Sequence, residues 1–114
     1  LHLLSYGLHP TPAGLQITLI WQVQEYIPAD YTTTVQLFDA TGAKLGQHDA
    51  APGGVYYPTS RWKPGEVLVE HHLVEIEGKQ PPVTLLVGMY LAANLTPLAP
   101  PIEIQLPITK TDSE

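Results

Sequence analysis

Every second residue from Leu15 to Val23 is large and apolar. In an extended chain Leu15, Ile17, Leu19, Trp21 and Val23 share one side, and Gln16, Thr18, Ile20, Gln22 and Gln24 share the other, because successive side chains of a strand point to opposite faces. One face is core and the other largely solvated, which is the pattern of an antiparallel sheet. Burying each of the large apolar side chains contributes about 1.5–3 kcal/mol, so this row alone is a major part of the fold's stability. No window of the chain sustains a 3.6-residue apolar period. Twelve prolines and nine glycines are also too many for a helical protein of 114 residues.

The same reading extends along the chain. Tyr31 to Asp39 alternates, with Thr33, Val35 and Leu37 set against Thr32, Thr34 and Gln36. Asp39-Ala40-Thr41-Gly42 fits a type I turn, with aspartate at its first position and glycine at its fourth. Lys44 to Asp49 is then the returning strand of a hairpin. Glu66 to Ile76 is strand-like, but its alternation slips near His71-His72. The slip predicts a bulge there, with one of the two histidines partly inward. Val83 to Leu91 alternates cleanly, and Ile102, Ile104, Leu106 and Ile108 form a last apolar row in which Pro107 marks an edge or an end. Leu1 to His9 is expected to be a strand stopped by Pro10 and Pro12, and Thr109 to Glu114 a frayed polar tail. About seven short strands with turn signals between them indicate an all-β fold, a two-sheet antiparallel β-sandwich of jelly-roll or immunoglobulin-like type. It is expected as a single domain over residues 1–108, followed by a flexible tail over 109–114.

Charge removes several function classes. Eleven acidic residues face five basic ones, Lys44, Arg61, Lys63, Lys79 and Lys110, for a formal charge of −6. Phosphate binding needs a clustered basic footprint, so nucleic acid is not an expected partner, and adsorption to anionic lipid is disfavoured for the same reason. No stretch approaches the roughly 20 apolar residues of a transmembrane helix. Without cysteine there is neither a disulfide framework nor thiol chemistry. Met89 is the only methionine, which is read as the mark of a processed product or a piece of a longer chain.

The twenty residues Gln47 to Glu66 form an unusual connection, holding three prolines, three glycines, three aromatics and a His48-Asp49 pair. Most connections are far shorter, and long ones are usually functional or carefully packed. This loop has rigid and bulky residues and no Ser/Gly run, which predicts packing. Its wording, and that of its neighbours, carries a resemblance. In order come GLQITLIWQ (Gly14–Gln22), DYTTTVQLFDATG (Asp30–Gly42), QHDAAPGG (Gln47–Gly54), YPTSRWKPGE (Tyr57–Glu66) and PPVTLLVGMY (Pro81–Tyr90). This series resembles the β-sandwich domain at the C-terminal end of bacterial multi-pass membrane glycosyltransferases of the protein-mannosyltransferase type, which use a polyprenyl-phosphate sugar donor. The resemblance spans almost the whole chain and is most specific from QHD to WKPGE. Two positions depart from it: Val83 stands where a glycine usually follows PP, and Thr34 where a bulky residue is usual. The catalytic residues of such a transferase are not in this chain. The resemblance therefore implies an extracytoplasmic domain of a membrane-embedded bacterial parent, with the parent's chemistry elsewhere.

Three constellations are candidate sites. His48-Asp49 is the first, and His71, His72, His2 and His9 are the residues that could complete a metal set. No H-x-x-x-H spacing links them, so Asp49 is expected to accept backbone amides of the following turn while His48 packs or hydrogen-bonds at the loop base. No metal and no cofactor is expected. Ser60 lacks the G-x-S-x-G elbow, and its triad with His48 and Asp49 fails because adjacent strand residues face opposite ways. The second constellation is Trp62 with Tyr56 and Tyr57, either a sugar-stacking platform with Arg61 and Gln47 beside it or, as favoured here, an anchor that seals the loop. Pro58 and Pro64 restrict the loop's path and with His48 and Asp49 are its expected organisers. The third, Asn94-Leu95-Thr96, matches a glycosylation acceptor but is followed by proline and is discounted.

These observations point to a non-catalytic accessory domain that binds a glycan or a cell-envelope component. The alternatives are a structural or protein-interaction module, and a small hydrolase or metal enzyme using the His48-Asp49 loop. A glycan binder should expose rings beside polar groups, an interaction module an apolar patch or an open strand, and an enzyme a pocket of convergent titratable groups.

Overall fold

A computed structural model describes residues 1–78 and 80–107. It is an all-β sandwich. Seven strands form two antiparallel sheets: β1 (His2–Thr11), β2 (Gly14–Gln22), β3 (Thr32–Phe38), β4 (Lys44–Ala50), β5 (Val67–Val74), β6 (Thr84–Tyr90) and β7 (Ile102–Gln105). One sheet has the order β1-β2-β5 and the other β4-β3-β6-β7. The alternating rows meet between them. Ile17, Leu19, Val35, Leu37, Val74, Leu85 and Val87 are fully buried, and Trp21 and Val23 nearly so. Asp39 closes the β3–β4 turn as expected: the Gly42 amide donates to its carbonyl at 3.0 Å, and its carboxylate accepts from Thr41 and from the Ala43 amide.

Several boundaries differ from the sequence reading. Strand β1 runs through Pro10 to Thr11 instead of stopping before it. It is an edge strand, where proline's missing N–H need not cost a ladder bond. The bulge expected at His71-His72 is absent, because β2 and β5 stay in register from Leu15↔Val74 to Gln22↔Val67. Register shifts occur instead between Leu3 and Ser5 and between Leu37 and Phe38. The apparent slip has another cause. Glu70 and His72 occupy inward positions of an unbroken strand and are buried. Ile108 and the expected tail Thr109–Glu114 lie outside the described residues.

The flanks of the sandwich differ. On one, β4 and the end of β5 nearly touch: the Glu77 amide donates to the Leu45 carbonyl at 3.0 Å. A Cβ at Gly46 would run into the Glu75 carbonyl and the Val74 side chain, so glycine there permits the closure. On the other flank, between β1 and β7, the sheets stand apart.

Candidate functional site

The largest concentration of chemistry lies inside the sandwich. Glu70 Oε1 accepts from the Trp21 indole at 2.7 Å and from the Thr33 hydroxyl at 3.1 Å, and Oε2 lies 3.0 Å from His72 Nε2. His72 Nδ1 in turn lies 2.8 Å from Nδ1 of the half-buried His48. The group spans both sheets, with Trp21, Glu70 and His72 from one and Thr33 and His48 from the other. The His72 ring thus links the Glu70 carboxylate to His48, with one of the two Nδ1 atoms donating and the other accepting. Thr33 and His72 are 0% and 1% exposed and Glu70 is 8% exposed. No described buried polar side-chain atom lacks a partner.

His48 and Asp49 are thus not in the long loop. They belong to β4, opposite Val35 and Thr34 of β3, and strand alternation sends them to opposite faces. His48 turns inward to His72. Asp49 turns outward and accepts from the Thr34 hydroxyl at 2.7 Å, the Gln47 amide at 2.9 Å and the Tyr90 hydroxyl at 2.6 Å. Its partners are side chains across the sheet, not the backbone amides of a turn. Partial burial pushes the Asp49 carboxyl upward, but the bonds from Tyr90, Gln47 and Thr34 and the field of His48 outweigh it, leaving the group below its usual range. Tyr90 is pushed up by the same hydrogen bond. Gln47 belongs to this cluster, where it also accepts from the Lys44 ammonium at 2.6 Å.

The loop proper begins after Ala50 and is packed by different residues from those expected to organise it. Trp62 is 1% exposed, and its indole donates to the Tyr57 carbonyl at 2.9 Å. A buried ring cannot stack on a sugar, so Trp62 is the anchor. Thr59, fully buried in a short 3-10 turn (Thr59–Arg61), donates to the Ala29 carbonyl at 2.6 Å and accepts the Tyr31 amide at 2.9 Å. It pins the loop to the segment before β3. Tyr57 is half-buried, its hydroxyl held by Glu66, whose carboxylate also accepts the Lys63 amide. Pro58 enters the 3-10 turn, with its carbonyl accepting the Arg61 amide, while Pro64 is exposed. Of the proposed platform Tyr56, 87% exposed, Arg61 and Gln47 remain on the surface, and Gln47 sits apart on β4, in the Asp49 cluster.

Among the described residues, no three His, Asp or Glu side chains converge on a point that could hold a metal ion, and Ser60 makes no side-chain hydrogen bond to His48 or Asp49. Sequence reasoning missed Glu70, Thr33 and Thr59. A signal for Glu70 was present: inward Trp21 and inward Thr33 each bring a polar group into the core, which demands an acceptor there. Compared with known proteins, the chain matches no family model, no curated protein and no solved structure.

Proposed function

We propose that this chain is a non-catalytic accessory β-sandwich domain that binds protein through the outer face of its three-stranded sheet. The observation that carries the reading is β5. Val67, Val69 and Leu73 point outward and are 53%, 56% and 41% exposed, and Ile20 lies beside Val69 on the neighbouring strand. A solvated face alternates toward polar residues, so aliphatic side chains grouped there mark a surface that meets a partner. The titratable groups that do converge, Glu70, His72 and His48, bond to one another inside the sandwich, which supports binding over turnover. An extracytoplasmic setting beside a bacterial membrane glycosyltransferase is part of this reading and rests on the resemblance of Gln47–Glu66 to such domains. No helix among the described residues is long and apolar enough to cross a membrane.

A second reading has its own observation. The outer face of the other sheet carries Asp49, Gln47, Thr34 and the Tyr90 ring in one bonded cluster, a polar surface with an aromatic suited to a glycan. A photo-reactive side chain placed at Val69 in the native host separates the two. A discrete protein adduct from Val69, with none from Gln47, supports protein docking. No adduct from Val69, together with glycan-array binding lost in Gln47→Ala, transfers the function to the polar face.

A further inference from the structure

We infer that the open flank of the sandwich is a docking groove for a short extended peptide strand, alternating in apolar residues, supplied by a partner protein. This surface is separate from the Val67–Val69 face.

The groove follows from how the two sheets end. Among the described residues β1 pairs only with β2, and β7 only with β6, so each strand keeps one ladder of amides and carbonyls without a strand partner. The two strands face one another across the flank, yet no Cα of β1 lies within 8 Å of a Cα of β7. Paired strands run about 4.8 Å apart, so the two edges do not pair with each other and each is open to an added strand. Only an extended backbone presents donors and acceptors at the spacing of a ladder, and strand addition to a free edge is a recurrent mode of peptide recognition.

The side-chain environment specifies the rest of the occupant. The gap is a groove of 590 Å³ with Leu1, Leu3 and Tyr6 on one bank and Ile102 and Ile104 on the other. Leu1 and Ile102 also border a second space of 280 Å³ that reaches Trp21, Met89 and Leu98 between the sheets. A strand lying in the groove therefore meets apolar surface with alternate side chains, and its end residue is placed to enter the cavity. Glu25 lines that cavity, whereas Glu103 alternates to the outer face of its sheet, beside Thr84 and Gln105, so the groove itself selects for apolar side chains.

Strand β1 itself argues for a short partner strand over a second copy of this chain. Its ten residues, HLLSYGLHPT, contain no Asp, Glu, Lys or Arg, the residues that commonly protect an edge. It carries instead the Leu3–Ser5 irregularity and Pro10, which interrupt a long ladder but spare a short one. Strand β7 spans only four residues, which sets a similar limit from the opposite bank. A free acyl chain would fill the cavity but leave both ladders unpaired.

The test uses a synthetic peptide of about eight residues, alternating valine and threonine, with leucine near one end and a lysine at each end for solubility. Saturable binding is expected, with a change in Trp21 fluorescence and slowed amide exchange on β1 and β7. Methylating alternate backbone nitrogens of the peptide should weaken binding at least about tenfold, as should Ile102→Glu, each tenfold being about 1.4 kcal/mol. Val69→Lys should leave affinity unchanged, so success or failure here is separable from docking at the Val67–Val69 face. Equal binding by the methylated peptide would reduce the effect to apolar adhesion and overturn the proposal. So would an absence of saturable binding at millimolar peptide, or a concentration-dependent dimer that protects β1 without peptide. Ile102 is 37% exposed, so its variant should fold; if it does not, the methylated peptide on the parent protein still decides.

Discussion

Two carboxylates in this domain are held by three side-chain partners each, and they sit in opposite environments. Glu70 meets Trp21, Thr33 and His72 between the sheets. Asp49 meets Thr34, Gln47 and Tyr90 on the outer face. The number of partners is the same, and so are the bond lengths to within a few tenths of an ångström. What differs is the alternative available to each group when its partners are removed. Water can replace a lost partner at Asp49, whereas at Glu70 the vacated polar atoms stay buried. Hydrogen-bond number therefore ranks these clusters equally, and burial separates them.

The largest effect should come from removing the buried acceptor. Glu70→Ala leaves the Trp21 indole, the Thr33 hydroxyl and His72 without their shared partner, and should cost about 3–5 kcal/mol. Denaturant unfolding measures this directly. Thr33 and His48 lie on the other sheet, so the loss should also loosen the packing between sheets. A cost near that of an exposed substitution would mean the network is solvated, and the contrast with Asp49 would collapse.

A gentler cut sharpens the comparison. Trp21→Phe keeps an aromatic in the core but deletes the N–H that donates to Glu70 at 2.7 Å. The expected cost is about 1–3 kcal/mol, from one lost bond to a buried carboxylate whose Oε1 keeps only Thr33, with some packing loss. In a double-mutant cycle, Trp21→Phe and Glu70→Gln should be non-additive, since the residues share one bond. Additivity would separate the ring's packing from the network.

The exposed cluster should respond least to truncation. Asp49→Ala removes three bonds at once, yet water reaches every group left behind, so the cost should be about 1 kcal/mol. That corresponds to roughly 4–8 °C in melting temperature for a domain of this size. A loss as large as that of Glu70→Ala would show that the outer face is part of the fold's foundation.

The two clusters were also unequally legible. Alternation placed Leu15 to Val23, Thr33 to Leu37 and Val83 to Leu91 correctly, because a half-buried strand writes its environment into every second residue. The same rule misread β5. The slip it gives near His71-His72 comes from polar residues, Glu70 and His72, at inward positions of a strand whose backbone keeps its register. Their burial depends on Thr33 and His48, which lie 37 and 24 residues away in sequence from their respective partners. No local pattern encodes such a partner. Position 62 was easier: a tryptophan among prolines needs a place to pack, and Trp62 has one. The loop proper is shorter than Gln47 to Glu66, because the returning strand expected from Lys44 to Asp49 runs on to Ala50, with His48 and Asp49 paired to Val35 and Thr34.

The smallest effect concerns pH and belongs to the exposed cluster. Partial burial raises the Asp49 carboxyl, but the bonds from Tyr90, Gln47 and Thr34 and the charge of His48 outweigh it and hold the group below its ordinary value. Asp39 is also lowered, first by the Thr41 hydroxyl and then by the Ala43 amide. For a carboxyl with a depressed folded value, the unfolded chain binds more protons between the two values, so stability rises with pH there. The contribution is complete above the unfolded value of about 3.9 and is lost as pH falls through the folded one. Melting temperature should therefore be insensitive to these two groups near neutrality and should sense them only below about pH 4. Tyr90 runs the other way. Its hydroxyl is raised above 10.0, chiefly by the bond to Asp49, so its contribution is complete below the unfolded value and is lost as pH rises through the folded one. Tyr90→Phe should thus flatten part of the acid limb, by removing a donor to Asp49, and part of the alkaline limb, by removing the phenol itself. Asp49→Asn should change both limbs as well, because the bond between Asp49 and Tyr90 contributes to both shifts. An Asp49→Asn variant with an acid limb identical to that of the parent protein would show that the cluster does not hold together in solution.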